Sequence, residues 1–221
     1  MPKSETNSFP SFKDTDRSQI QGFVTSGYGH MVFTAYLFLR LREESEVARR
    51  GASQWLGGLL EADQITTART WRVRKGKPKA KPDWAVNVAF THAGLKAWGL
   101  DEGTLNSFSP EFVEGAAAPK RAEVLGDTGD SAPKHWEFGG RRDGQGAIHC
   151  VVVVHAVTEK ERGKVLDWLQ VGLDEYGSAI EEAAPMQPGQ HLIHLDPVRG
   201  DRVVKEHFGF NLLGLHDEPP L

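Results

Sequence analysis

The sequence contains one cysteine and no long apolar run, and each of these shortages excludes a class of protein. Cys150 stands alone among 221 residues, so no disulfide forms within the chain. No apolar run reaches the roughly 18 residues that a membrane-spanning helix needs. The first residues, Met1 to Arg17, are polar, lack the apolar centre of a secretion signal, and indicate a mobile arm. These shortages predict a cytoplasmic protein.

An excess of charge of one sign is also lacking. The chain has 26 lysines and arginines against 30 aspartates and glutamates, and its formal net charge is −4. Bulk electrostatics therefore favours neither nucleic acid nor an anionic membrane as a partner. We interpret the one basic run as a solvated loop, with contact to an anionic partner or another subunit as the alternative. Its members are Arg69, Arg72, Arg74, Lys75, Lys77, Lys79 and Lys81.

Four apolar segments predict β-strands. Met31–Leu41 is apolar on both faces, which is typical of a central strand. Trp84–Phe90 alternates between apolar and smaller or polar residues, which predicts a half-buried strand. Ile148–Val157 is the strongest strand pattern, and Gln190–Leu195 is the last. In the second segment the buried face is expected to carry Trp84, Val86, Val88 and Phe90, and the other face Ala85, Asn87 and Ala89.

Two long helices are predicted from apolar stripes with spacings of three and four residues. The first covers residues 47–59, with Gly57 and Gly58 weakening its end. The second begins at Thr158, which has the capping-box spacing to Glu161. The apolar stripe of the first helix is Val47, Ala48, Gly51, Ala52, Trp55, Leu56 and Leu59, and that of the second is Val165, Trp168, Leu169, Leu173 and Tyr176.

Shorter helices are predicted after the second strand. Thr91 and Gly99 have the positions of the N-cap and C′ residues of one helix. Ser109 followed by Pro110 predicts the start of another, over Glu111–Ala118. Residues 126–146 are rich in glycine and aspartate and are interpreted as a surface loop.

The order of the elements predicts an α+β fold of the ferredoxin-like kind. A βαββαβ plan with extra helices after the second strand gives an antiparallel sheet with helices on one face. We expect the arm over residues 1–17, the ferredoxin-like domain over 18–210 and a divergent tail over 211–221. The fold hosts many functions and does not identify one.

The histidines are interpreted as structural. His191 and His194 are three residues apart on a predicted strand and therefore point to opposite faces, which makes them poor co-ligands even with Asp196 nearby. His149 and His155 are six residues apart and share a face of their strand, yet satisfied or half-exposed side chains are the favoured interpretation.

Three other features also predict no chemistry. Cys150 has apolar neighbours in a core strand, which indicates an inert buried thiol. No Gly-Lys-Ser/Thr follows Gly139 and Gly140, so the pair is not a phosphate loop. His207 is interpreted as structural.

A series of short segments runs along the chain: Ile20–Gly22, Tyr36–Arg40, Asn87–Thr91 with Gly94 and Leu95, Phe108–Phe112 with Gly115, Leu125–Asp127, Trp136–Gly140 and Glu206–Phe210. In this order they resemble the N-terminal half of dye-decolourising haem peroxidases. The resemblance spans nearly the whole chain but about half of a family member. It implies two ferredoxin-like halves that hold haem b between them, with hydrogen peroxide and an organic reductant as substrates.

The resemblance also implies where the family's haem-contacting motif falls. That motif, Gly-x-x-Asp-Gly, would begin at Gly209, and Gly209 and Phe210 are the candidate cofactor-binding residues. Leu212 occupies the position of the aspartate that lies over the distal face of the haem, and Leu213 that of the final glycine. Leucine transfers no proton, and peroxide cleavage needs a group that does. No catalytic or metal-binding residue is therefore assigned in this chain.

Two hypotheses follow. In the first, the chain is the N-terminal half of a haem peroxidase, truncated or shifted in reading frame before the distal aspartate and the half that supplies the iron ligand. In this case the chain alone is expected to be inactive and to retain no haem. In the second, it is a non-catalytic ferredoxin-like domain that self-associates or binds a partner without haem. Apolar residues on both faces of the first strand predict dimers or larger species.

Overall fold

The structure, a computed structural model, describes most of the chain up to Ala183 and one short strand beyond it. The described residues are 17–24, 28, 30–42, 45–68, 82–136, 139–140, 147–183 and 193–195, with the backbone alone at 182 and 193–195. The predicted arm up to residue 16, the basic run and the predicted tail lie outside these residues.

Five strands form one antiparallel sheet. They are β1 (Phe33–Leu41), β2 (Trp84–Phe90), β3 (Cys150–Ala156), β4 (Ile180–Glu182) and β5 (Ile193–Leu195). The sheet order is β2-β3-β1-β4, and β5 also pairs with β1. β3 pairs with β1 from Phe33 to Leu39 and with the whole of β2. This confirms the predicted ferredoxin-like α+β fold.

The fourth predicted strand, Gln190–Leu195, is described as β5 over Ile193–Leu195, and β4 is an additional strand that was not predicted. β4 pairs with Leu39–Leu41 and β5 pairs with Thr34–Tyr36, so both lie along the same edge of β1. The prediction missed β4 because its sequence, Ile-Glu-Glu, has little strand character. Pairing with β1 and an ion pair between Arg40 and Glu181 hold it in the sheet.

The helices lie between and after the strands. They are α1 (Glu46–Glu61), α2 (His92–Ala97), α3 (Glu102–Leu105), α4 (Pro110–Glu114), α5 (Pro119–Leu125) and α6 (Glu159–Glu175), with 3-10 turns at Gly22–Val24, Gly129–Ser131 and Pro133–His135. The predicted caps are confirmed: Thr91 Oγ1 accepts from Gly94 N at 2.9 Å, and Thr158 Oγ1 accepts from Glu161 N at 3.2 Å. Gly99 has φ 89°, as expected of a C′ residue.

Several helix predictions were wrong in detail. The helix predicted over Glu111–Ala118 ends at Glu114, because Gly115 has φ 67° and leaves the helical region. A separate helix, α5, follows it. α1 continues through its two glycines to Glu61. Val47, placed on the buried stripe, is 80% exposed, because it lies on the solvent side of α1.

The two long helices cover one face of the sheet and form the main core with it. The core residues of this covered face are Ala35, Leu37, Leu39, Val86, Val88, Cys150, Val152 and Val154 from the strands, with Trp55, Leu59, Val165, Leu169 and Leu173 from the helices. The faces of β2 are as predicted, but Ala85 and Asn87 on its other side are also buried. The strand is therefore more than half-buried, because residues near the N-terminus cover that side.

Candidate functional site

The sheet face opposite the long helices, here called the open face, is the candidate site. It carries Thr34, Tyr36, Phe38 and Arg40 from β1, Ala85, Asn87 and Ala89 from β2, and Val151, Val153 and His155 from β3. At one end of this face the side chains are buried under Tyr28 and Gln21. At the other end Ala89 is exposed, and Phe38 and Val151 are only partly buried. Burial raises the pKa of Tyr36, in the middle.

The less covered end of the open face continues into a groove of about 500 Å³. The groove has a mostly apolar lining with a few polar groups. The apolar lining includes Phe38, Ala89, Phe90, Phe112, Trp136, Ile148 and Val151, and the polar lining includes Thr91, His92, Lys96 and Glu114. A concave apolar surface with few polar groups is the usual form of a binding site in a protein.

A close backbone contact sets the wall of the groove. A Cβ atom on Gly94 would lie 1.8 Å from the carbonyl oxygen of His149, so only glycine lets α2 approach the start of β3 this closely. Thr91 holds the same junction, because its N–H donates to His149 O at 3.1 Å and its hydroxyl donates to Ile148 O at 2.7 Å. The α2 residues His92 and Lys96 thereby line the groove.

Aromatic contacts fix the other wall. The Phe112 ring lies 5.0 Å from the Phe108 ring and 6.0 Å from the His92 ring, between centroids. His92 Nε2 lies 3.3 Å from the carbonyl oxygen of Leu105. Trp136 donates its indole N–H to Ser131 O at 2.7 Å. No local sequence pattern indicates this groove, because its lining comes from three strands and from helices that are distant along the chain.

His155 in β3 and His149 just before it have structural roles. Leu41 N–H donates to His149 Nδ1 at 3.0 Å, and Thr34 Oγ1 lies 3.0 Å from His155 Nδ1. The Tyr28 ring meets the His155 ring edge-on at 5.1 Å. Burial lowers the pKa of His155 to about 4, so the ring is neutral near pH 7. Six residues of strand separate the pair by about 20 Å, too far to share an ion.

The single thiol is buried in the covered face. Cys150 has no exposed surface, as predicted, and burial raises its pKa to about 12. A thiolate is the reactive form of cysteine, so this group is unreactive at neutral pH.

Gly140, the second glycine of the pair Gly139-Gly140, has a packing role. A Cβ atom on Gly140 would lie 2.0 Å from the carbonyl oxygen of Pro133, so the close approach requires glycine.

The candidate residues taken from the resemblance are not among the described residues. Gly209, Phe210 and Leu212 lie outside the described residues, as do His191, Asp196 and His207. The backbone of His194 is described as part of β5. The assignment of Gly209 and Phe210 to cofactor contact stays a prediction.

The two buried histidines of the described part, His149 and His155, do not fit haem as a ligated group. Among the described residues, no cluster of three or more His, Cys, Asp or Glu side chains forms a metal site. His155 is packed under Tyr28 and leaves no room for a macrocycle, and His149 is buried with its Nδ1 bonded to Leu41 N–H. Neither His149 nor His155 is therefore placed to serve as the axial ligand that haem iron requires.

Comparison with known families decides the relationship. The profile of the DyP dimeric alpha+beta barrel domain matches residues 19–188. This chain belongs to the DyP family. The match confirms the resemblance to the N-terminal half of dye-decolourising peroxidases. No curated protein matches the chain. In the described part, no helix is long and apolar enough to cross a membrane.

Solved structures of DyP proteins share the fold. The DyP-type peroxidase AnaPX of Anabaena sp. superposes with a TM-score of 0.55 at 20% identity, covering 74% of this chain and 34% of that one. A structure described as DyP gives the same score and identity, covering 83% and 35%. The decolorizing peroxidase of Auricularia auricula-judae gives 0.50 at 20% identity, covering 77% and 34%. The chain thus spans about a third of the length of these relatives.

Proposed function

We propose that this chain serves as the N-terminal half of a DyP-type haem peroxidase that oxidises dyes or other bulky reductants with hydrogen peroxide. The observation that carries the proposal is the open face, which ends in an apolar groove on a domain of this family. The second half would supply the iron ligand and the groups that cleave peroxide. This chain alone is then inactive.

The contribution of this half is to bind the second half and to exclude water from the surface between them. Phe38, Val151 and Ile148 give the groove an apolar surface that a second half would cover. Haem, when bound in the completed protein, supplies the redox chemistry. In the described residues, the groove offers His92, Lys96 and Glu114 as charged or titratable groups, and none of them is assigned a proton-transfer step.

A complementation experiment tests this role. Residues 1–210 are joined to the second half of a DyP-type relative, and peroxide-dependent bleaching of an anthraquinone dye is measured. We expect the joined protein to bind haem and bleach the dye, and the 221-residue chain with added hemin to do neither after desalting. Bleaching by the chain alone, above the rate of free hemin, would contradict the proposal.

Two matched lysine variants locate the contact. Val151→Lys puts a charge into the groove, where burial by a second half would desolvate it, so complementation should be lost. Val171→Lys makes the same change on α6 at a site that is 68% exposed, and should complement normally. Equal activity of both joined proteins would show that the open face does not meet the second half.

The exposure at the groove end of the open face also supports the second hypothesis, a domain that self-associates without haem. Light scattering on the unmodified chain, alone and with a second half added, distinguishes the two hypotheses. A functional self-associating domain forms a discrete dimer in both samples. Displacement of that dimer by a separately expressed second half would favour the peroxidase role.

A further inference from the structure

The edge of β2 that points away from β3 is covered by two segments. Thr66 lies against Val86: Thr66 N–H donates to Val86 O at 2.8 Å, and Val86 N–H donates to Thr66 Oγ1 at 3.0 Å. The second segment lies outside the first. Gly22 N–H donates to Thr66 O and Ala68 N–H donates to Ile20 O, both at 2.8 Å. Among the described residues, the backbone pairing of this edge therefore ends at Val86.

Two residues further along β2, the side chain of Gln21 stands where a neighbouring strand would be. Its Nε2 donates to Val88 O at 2.7 Å, and its Oε1 accepts from Val88 N–H at 2.8 Å. In an antiparallel sheet, the residue opposite makes this same pair of bonds from its backbone. The carboxamide is held in place by Asn87, whose Nδ2 donates to Gln21 Oε1 and to Thr66 O, both at 3.2 Å.

We propose that the Gln21 carboxamide seals this edge, that is, it blocks hydrogen-bonded pairing with β2 of a second copy of the chain. An open strand edge offers unpaired N–H and C=O groups to another chain. The alternation of an antiparallel strand gives Phe90 the same outward direction as Val88. Two copies related by a two-fold axis at Ala89 would pair Val88 with Phe90 in both directions. This register uses only the part of β2 that follows Val86, the residue paired with Thr66.

Hydrogen exchange of single amides tests the seal. Gln21→Met keeps the length of the side chain and removes both hydrogen bonds to Val88. In dilute solution the Val88 amide should exchange at least about tenfold faster, the factor expected for the loss of one or two hydrogen bonds. The Val86 amide, which is bonded to Thr66, should be unchanged. Unchanged exchange at Val88 would overturn the proposal.

Sedimentation equilibrium tests the consequence. Gln21→Met should tighten self-association at least about tenfold relative to the unmodified chain. Ala89→Lys added to this variant places like charges opposite each other at the two-fold axis and should reverse the gain. Gln170→Met removes an exposed bond from Gln170 Nε2 to Asp174 Oδ1 and should have no effect. Faster exchange at Val88 with unchanged association would overturn the sealing role.

A second variant covers the case in which Gln21→Met does not fold. Gln21→Glu keeps an acceptor for Val88 N–H and loses the donor for Val88 O. Its Val88 amide should stay protected, while association tightens by a smaller factor than in the methionine variant. Association equal to that of the unmodified chain would count against the proposal here as well.

Discussion

The covered face and the open face of the same sheet are buried by different kinds of contact. On the covered face, Leu39, Val86 and Val152 have no exposed surface and meet two long helices. On the open face, Asn87 and His155 are buried by polar contacts and one aromatic ring, while Ala89 is exposed. The covered face therefore supplies most of the apolar burial of this domain, while the open face is buried at one end only.

The covered face should be the more sensitive to truncation of a side chain. Leu169→Ala removes a fully buried side chain of α6 and should lower the free energy of unfolding by about 2–5 kcal/mol. Val171→Ala, two residues on and 68% exposed, should change it by less than about 0.5 kcal/mol. Urea titrations with equal slopes measure both. A small loss at Leu169 would show that the main core lies elsewhere.

The junction between α2 and β3, which joins the two faces, should be nearly as sensitive. Gly94→Ala places a Cβ against the His149 carbonyl and should cost about 2 kcal/mol or more, because backbone must move. Gly57→Ala, in a helical site with open space, should instead stabilise by about 0.5–1 kcal/mol. Thermal unfolding of the two variants gives the sign of each effect. A tolerated alanine at Gly94 would contradict the close approach.

The covered end of the open face should respond to pH. Because burial lowers the pKa of His155 to about 4, the unfolded chain binds a proton first as the pH falls below about 6.5. Stability contributed by the neutral ring is therefore present above pH 6.5 and lost progressively towards pH 4, by no more than about 3 kcal/mol.

Two glutamine variants isolate this titration. His155→Gln keeps a polar partner for Thr34 and should flatten the fall in the free energy of unfolding between pH 7 and 4.5. His135→Gln, at an exposed position, should leave the fall unchanged. Denaturant titrations across the pH range give the free energy of unfolding of each protein. An equal fall with pH in all three proteins would rule out His155 as the source of the pH dependence.

The groove end of the open face should show the smallest effect on stability. Phe38→Ala removes a partly buried ring and should cost at most about 1.5 kcal/mol. It should, however, reduce binding of a hydrophobic dye and shift the predicted dimers or larger species towards monomer in light scattering. Val171→Ala is the control for loss of an exposed apolar group. Unchanged dye binding by Phe38→Ala would show that the groove is not the surface that binds the dye.

Local sequence patterns predicted the three longest strands, the two long helices and their order. Alternation in Trp84–Phe90 predicted β2 to the residue, and the caps at Thr91 and Thr158 begin their helices as predicted. The apolar run around Cys150 predicted a buried strand, and the thiol is buried. These features are local, because a repeat of two or of three to four residues and a side chain bonded three residues on are both read from neighbouring positions.

Only the tertiary structure decided the second side of the sheet. β4 is a strand because β1 lies beside it, and Asn87 is buried because Gln21 and Thr66, 66 and 21 residues away, reach across the edge of β2. The groove likewise gathers Phe38, Phe112 and Val151 from distant parts of the chain. Such contacts depend on which faces meet after folding, and no periodicity within one segment encodes the partner that will cover it.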